Sequence, residues 1–131
     1  MKAASLFWNK KFEGKCHEDL AELLPEHAEI FHGYNQRFFD LMDIFSTQLY
    51  LHHDFRGGFS IKDVLPVLVP GMTYKNLNIR DGSMAMTGWK TMMFDMKDDQ
   101  EKEQMKEDLL KYCELDTLAM VKIFEVLQNL Y

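Results

Sequence analysis

Cysteine is nearly absent from this chain of 131 residues, with only Cys16 and Cys113 present. No CxxC spacing occurs, so neither a disulfide framework nor a thiolate zinc site is implied. Long apolar runs are missing as well. The longest, such as residues 64–69, falls far short of the roughly 20 residues a membrane helix needs. The start, Met1-Lys2-Ala3-Ala4-Ser5, has no apolar core of the kind a signal peptide carries. These absences point to a reduced cytoplasm and away from a membrane partner. Basic charge is also scarce: the formal net charge is −6 and the pI about 5.3. That argues against a strong general affinity for nucleic acid, which needs fields of Lys and Arg, but leaves room for a local basic groove.

What remains is 47% hydrophobic and 27% charged, enough for a core and a soluble surface. The length predicts one domain. Residues 3–8 read as a short buried strand, broken at Asn9. Phe12-Glu13-Gly14 reads as a turn, and residues 17–24 as a short helix with Leu20, Leu23 and Leu24 on one side. Pro25 ends that helix and opens the next, where its missing N–H is harmless. The second helix is expected over 26–38, from the spacing of Ile30, Phe31, Tyr34 and Phe38. Residues 39–45 read as a strand running into a helix that continues towards Leu51, and 52–59, with Gly57-Gly58, as a loop. Ser60 and Asp63 resemble a capping box for a helix through Leu68, strained by Pro66 and stopped by Pro70-Gly71. An extended connection over 74–79 follows, then a Met-rich helix capped by Asp81 or Ser83 and reaching Met93. The charge run 95–103 leads into two final helices, acidic over 98–109 and apolar over 118–130. The expected class is α/β, mostly helical, with one or two short strands and about six helices.

Two acidic motifs carry the candidate chemistry. Tyr112 and Asp116 are four apart and share one face of a helix. Glu13 lies far away, in Trp8-Asn9-Lys10-Lys11-Phe12-Glu13. Carboxylates are the right ligands for Mg²⁺ or Mn²⁺, which favour oxygen. In two-metal nucleases such ions clamp the attacking and leaving oxygens of a phosphodiester. A tyrosine one turn from a metal-bound Asp can position the attacking water. Each motif also has a plain structural reading, in which Tyr112 packs and Asp116 caps the last helix.

Taken together, Asn9-x-x-Phe12-Glu13 and Tyr112-x-x-x-Asp116 resemble the tyrosine-type branch of the DEDD exonucleases, which have a ribonuclease H-like fold. The chain also resembles a bacterial family of unknown function, often found C-terminal to RecB-like nuclease segments. That likeness rests on the first motif and on Phe39-Asp40-Leu41-Met42-Asp43-Ile44-Phe45, Gly58-Phe59-Ser60-Ile61-Lys62-Asp63-Val64-Leu65-Pro66, Asp81-Gly82-Ser83-Met84-Ala85-Met86 and Tyr112-Cys113-Glu114-Leu115-Asp116-Thr117-Leu118-Ala119-Met120-Val121. It covers nearly the whole chain. The resemblance implies that Glu13 and Asp116 are metal ligands for Mg²⁺ or Mn²⁺ and that Tyr112 orients water. Asn9 and Phe12 would shape the floor of the site. It also implies a departure: no Asp-x-Glu precedes Glu13, so the chain is expected to be the C-terminal part of a larger nuclease-like domain. Alone it would bind metal weakly and cleave poorly or not at all.

Missing neighbours would leave Leu6, Phe7 and Trp8 as an apolar edge, so self-association or pairing with the absent N-terminal half is expected. Lys10, Lys11 and Lys15 are candidates for phosphate contacts, against an ordinary exposed loop. Asp40 and Asp43 could supplement a metal site or merely end a strand and cap a helix. His52-His53-Asp54 has the composition of a metal cluster, yet adjacent histidines on a Gly-flanked loop read as solvent-facing. His17, His27 and His32 read as surface or boundary residues. Met84, Met86, Met92, Met93 and Met96 read as core filling, or else as an adaptable partner surface. Two function classes follow: part of a metal-dependent 3′–5′ exonuclease-like domain acting on nucleic acid, or a non-catalytic helical interaction module.

Overall fold

Two parallel strands cannot be joined by a hairpin; they need a crossover of a dozen or more residues. The first half of the chain is built on that constraint. In the computed structural model, which describes residues 4–130, β1 (Ser5–Phe7) pairs in parallel with β2 (Phe38–Asp40), aligning Ser5 with Phe38 and Phe7 with Asp40. The crossover consists of α1 (Lys10–Leu23), a 3₁₀ turn at Pro25–His27 and α2 (Ala28–Asn35). After β2 come α3 (Leu41–Ser46), a 3₁₀ turn at His53–Phe55 and α4 (Ile61–Leu68). A 3₁₀ turn at Tyr74–Asn76, α5 (Gly82–Phe94) and α6 (Asp99–Gln128) complete the order. The class is α/β and mostly helical, with six α-helices and one two-stranded sheet among the described residues. None of those helices is long and apolar enough to cross a membrane. Of the strand expected over 3–8, Ala3 lies outside the described residues.

Two compact units divide the chain, with the boundary between Val64 and Leu65. In the first, Phe7, Ala21, Leu41, Phe45, Phe55 and Val64 are buried. The expected turn at Phe12-Glu13-Gly14 is instead helix, because Asn9 caps α1 and Gly14 is a packing residue. A Cβ on Gly14 would lie 3.2 Å from the Phe38 ring, so the glycine lets α1 approach β2. The Phe7 ring meets Phe38 edge-on at 3.9 Å between centroids, and His17 stacks on Phe38 at 6.0 Å. Asn35 ties the crossover together: its Oδ1 lies 2.8 Å from His17 Nδ1 and its Nδ2 donates to the Gly14 carbonyl. Phe7 is thus buried rather than part of an exposed edge, and Trp8 stacks on Phe45 at 5.5 Å. Leu6 and Trp8 remain partly exposed.

Helix α2 ends at Asn35, short of the expected Phe38, because Phe38 is needed in the sheet. Helix α3 stops at Ser46 instead of running towards Leu51; Gln48 turns left-handed, with φ 62°. Asp40 is the joint of this unit. Its carboxylate accepts from Asn9 N (3.1 Å) and Lys10 N (2.7 Å) at the start of α1, and from Met42 N (3.0 Å) at the start of α3. At α4, the Ser60 hydroxyl donates to the Asp63 carboxylate at 2.6 Å, a variant of the expected capping box. Gly71, at φ 92°, follows Pro70 where the chain leaves that helix.

In the second unit Leu65, Tyr74, Ile79, Ala119 and Ile123 are buried. Asp81 caps α5 by accepting from Met84 N, as the sequence suggests. The two expected final helices are one helix of 30 residues, about 45 Å long at 1.5 Å per residue. Composition changes from polar to apolar along it, but no Gly or Pro interrupts residues 99–128. Asp98 caps its start by accepting from Glu101 N, and Asp99 and Glu101 face the positive end of the helix dipole. Helices α5 and α6 pack antiparallel: Gly82 approaches Tyr112, and Gly88 approaches Met105. A Cβ on Gly88 would sit 2.9 Å from Met105 Sδ, so this glycine sets the spacing. Met105 packs at this seam, whereas Met84, Met86 and Met93 are exposed rather than core-filling.

Replacing Asp40 by Ala removes three hydrogen bonds at segment ends at once. The Asp40→Ala chain is expected to lose about 2 kcal/mol of unfolding free energy. Urea denaturation checks this, and an unchanged midpoint would mean that water replaces the carboxylate at no cost.

Candidate functional site

The first unit holds Asn9, Lys10, Lys11, Phe12 and Glu13 at the start of α1. Asn9 sits at φ 74° in the left-handed region, which Asn tolerates better than most residues. Its side chain accepts from Phe12 N at 3.3 Å. Glu13, partly buried, points back: Oε1 accepts from Trp8 N at 2.9 Å. The motif is therefore a tight strand-to-helix corner. Two backbone N–H groups of that corner already face the Asp40 carboxylate, so the helix start is filled by an anion from the protein itself.

Around the corner the basic groups divide. Lys10, Lys11 and Lys15 line one cleft with Gly14, Asn35 and Phe38. The Lys10 ammonium lies 5.8 Å from the Phe38 ring centroid. Lys15 pairs with Asp19 at 2.6 Å, and that hydrogen bond raises its pKa above the usual lysine value. Phe12 is exposed. Asp43 is exposed on α3, and its carbonyl, not its carboxylate, accepts from Thr47 N. Of the two supplementary candidates, Asp40 ends β2 as one of the sequence readings has it, but the cap of α3 is Asp40 as well and not the expected Asp43.

The second unit brings Tyr112 and Asp116 together on one face of α6 and adds a third residue. Tyr74 donates its hydroxyl to Asp116 Oδ1 at 2.8 Å, and its ring lies 6.0 Å from that of Tyr112. Tyr74 is only 4% exposed, whereas Tyr112 and Asp116 are half-buried. Asp116 thus stands mid-helix as a hydrogen-bond acceptor and does not cap a final helix. Burial is the main cause that raises both phenols. The Asp116 hydrogen bond and charge push Tyr74 higher still, far above the tyrosine range. The charges of Asp116, Cys113 and Asp81 add to burial at Tyr112, which is pushed up to about 12. Both hydroxyls are therefore neutral donors at physiological pH.

Sequence reasoning did not find Tyr74. It reads as part of an extended connection, and its partner is 42 residues away. The local signal is Thr73, whose side chain accepts from Lys75 N and caps the 3₁₀ turn that presents Tyr74. Glu13 belongs to the first unit, and Tyr112 and Asp116 belong to the second.

Residues 1–60 match the model of a domain of unknown function, DUF2779. That match covers the Asn9-to-Glu13 corner, Asp40 and the His52 turn, and stops short of Tyr112 and Asp116. The chain is also similar to the uncharacterized protein UU173 of Ureaplasma parvum, 29% identical over 138 residues, covering 90% of this chain and 19% of that protein. The uncharacterized protein MG366 of Mycoplasma genitalium is 29% identical over 134 residues, covering 94% of this chain and 20% of that protein. The chain spans about a fifth of the length of these curated relatives. No solved structure matches it.

Tyr74→Phe removes one hydroxyl from a packed ring and leaves Asp116 without its donor. A loss of about 1–2 kcal/mol is expected, as for a hydrogen bond to a charged group. Thermal unfolding of the variant measures it, and full wild-type stability would show that water satisfies Asp116 equally well.

Proposed function

We propose that the chain is the C-terminal portion of a metal-dependent 3′–5′ exonuclease-like domain acting on nucleic acid, within the ribonuclease H-like class. The observation that carries this reading is Asp116: a half-buried carboxylate in mid-helix, fixed at one oxygen by Tyr74, with Tyr112 one turn away. Carboxylates are mostly exposed and almost never fully buried unless paired. Here the hydrogen-bond partner, Tyr74, is a neutral phenol and does not offset the negative charge. The donor chemistry suits Mg²⁺ or Mn²⁺, which take oxygen ligands.

When bound, the ion supplies charge stabilisation at the phosphodiester and a more acidic water. The protein's part is positional. Tyr74 holds the Asp116 carboxylate in one rotamer. Tyr112, neutral because its pKa is pushed up to about 12, orients the attacking water by hydrogen bonding and does not take its proton. Glu13 is the second carboxylate of the reading, braced by Trp8 N. By the resemblance, Asn9 and Phe12 would shape the floor of the site and Lys10 and Lys11 would contact phosphate.

A second reading, a helical interaction module that binds a protein partner or a further copy of itself, is favoured by one observation. Met86, Trp89, Met93 and Phe94 of α5 are all at least half exposed, and the Trp89 and Phe94 rings touch edge-on. The two readings separate on metal binding. Calorimetric titration with Mn²⁺ is expected to show binding that weakens roughly tenfold in Asp116→Asn and in Glu13→Gln, a change comparable to losing a supporting group at a metal site. Both variants keep the oxygen that accepts the observed hydrogen bond, so folding is spared. Equal affinity in wild type and both variants would remove the nuclease reading and leave the interaction module.

A further inference from the structure

The loop expected over residues 52–59 is more ordered than its glycines suggest. Phe55 is buried and rests against Phe45, Tyr50 and His52. The backbone closes a 3₁₀ turn over His53–Phe55, with Phe55 N donating to the His52 carbonyl and Arg56 N to the His53 carbonyl. His52 caps the turn: its Nδ1 accepts from Asp54 N at 3.2 Å. Arg56 and Gly57 then leave through left-handed conformations, at φ 51° and 81°.

This anchored turn gathers two imidazoles and a carboxylate. His53 Nε2 lies 3.3 Å from Asp54 Oδ1, and His52 Nδ1 lies 3.7 Å from Asp54 Oδ2. The two imidazole rings stack at 4.6 Å between centroids. One ligating atom from each of the three residues falls within 4.8 Å of the others. Among the described residues, this is the one such group of three or more.

We propose that His52, His53 and Asp54 form a binding site for a borderline divalent transition-metal ion of the Zn²⁺ type. Metal–nitrogen and metal–oxygen bonds are about 2.0–2.2 Å, so the three donors must draw together by roughly an ångström. Side-chain rotation brings them together: the His53 side chain is 84% exposed, and His52 Nδ1 exchanges the Asp54 N–H for the ion, while Phe55 holds the backbone. Imidazole donors select Zn²⁺, Ni²⁺ and Cu²⁺ over Mg²⁺ and Ca²⁺, which want oxygen. Three protein ligands leave at least one position to water or to a group from a partner. This site is independent of the Asp116 reading: its residues, its unit and its preferred metal all differ.

The test is Zn²⁺ titration of the whole chain, followed by calorimetry and by amide and imidazole NMR shifts. The Cys16→Ser/Cys113→Ser background removes the two exposed thiols, which could otherwise take the metal. One-to-one binding is expected, with shifts centred on residues 52–56. Losing an outer-shell partner of a metal site already costs about 10–100-fold in affinity, so His53→Ala, which loses a ligand, is expected to cost tenfold or more. Asp54→Asn is expected to weaken binding, and Asp116→Asn to leave it unchanged. His53 is exposed, so its replacement spares the fold. Unsaturable binding, or affinity that survives His53→Ala, would overturn the proposal.

Discussion

A single carboxylate holds the first unit together. Asp40 closes β2, starts α3 and receives the N–H groups of Asn9 and Lys10 at the start of α1, so three segment ends meet at one side chain. Parallel strands this short have too few ladder bonds to fix their own ends. The Asp40 bonds supply what the ladder lacks, and they do so between residues about 30 apart. Because Asn9 and Lys10 are pinned in this way, the corner carrying Phe12 and Glu13 has a defined geometry. The same bonds occupy the electropositive start of α1. An anionic ligand at this end would therefore meet lysine side chains rather than the helix terminus.

The second unit uses a different device for a comparable purpose. Helix α6 is continuous because nothing in its sequence breaks it, and α5 lies close because Gly88 lets Met105 in. Tyr74 then reaches from a short 3₁₀ turn to the middle of α6 and fixes Asp116. A buried phenol beside a carboxylate stays protonated and donates, an arrangement that keeps the carboxylate oriented. Tyr112, one turn away, is held neutral by the same surroundings. In the proposed chemistry these phenols give direction, and the carboxylate gives charge.

Much of this was legible in the sequence, for identifiable reasons. The pairing of Tyr112 with Asp116 follows from helical spacing alone, and Asp81 as a cap follows from its place before a helical run. Pro25 and Pro70 mark real boundaries. Other features depend on residues distant in the chain and leave no local trace. Gly14 looks like a turn residue until Phe38 is seen to need its space. Phe38 looks helical until β1 claims it for a sheet. The polar-to-apolar change along α6 looks like two helices, because composition reports the surroundings of a helix and not its continuity. Tyr74 could not be assigned to Asp116 from spacing, and the convergence of His52, His53 and Asp54 depends on a turn anchored by Phe55.

As proposed, Asp116 is a cation ligand held in place by Tyr74. Its most direct test is substoichiometric Mn²⁺ added to isotopically labelled chain, with paramagnetic broadening read residue by residue. Early and selective loss of the Tyr112 and Asp116 amide signals is expected, and its absence in Asp116→Asn. Broadening confined to the acidic start of α6 at residues 98–103, with Tyr112 and Asp116 untouched, would contradict it.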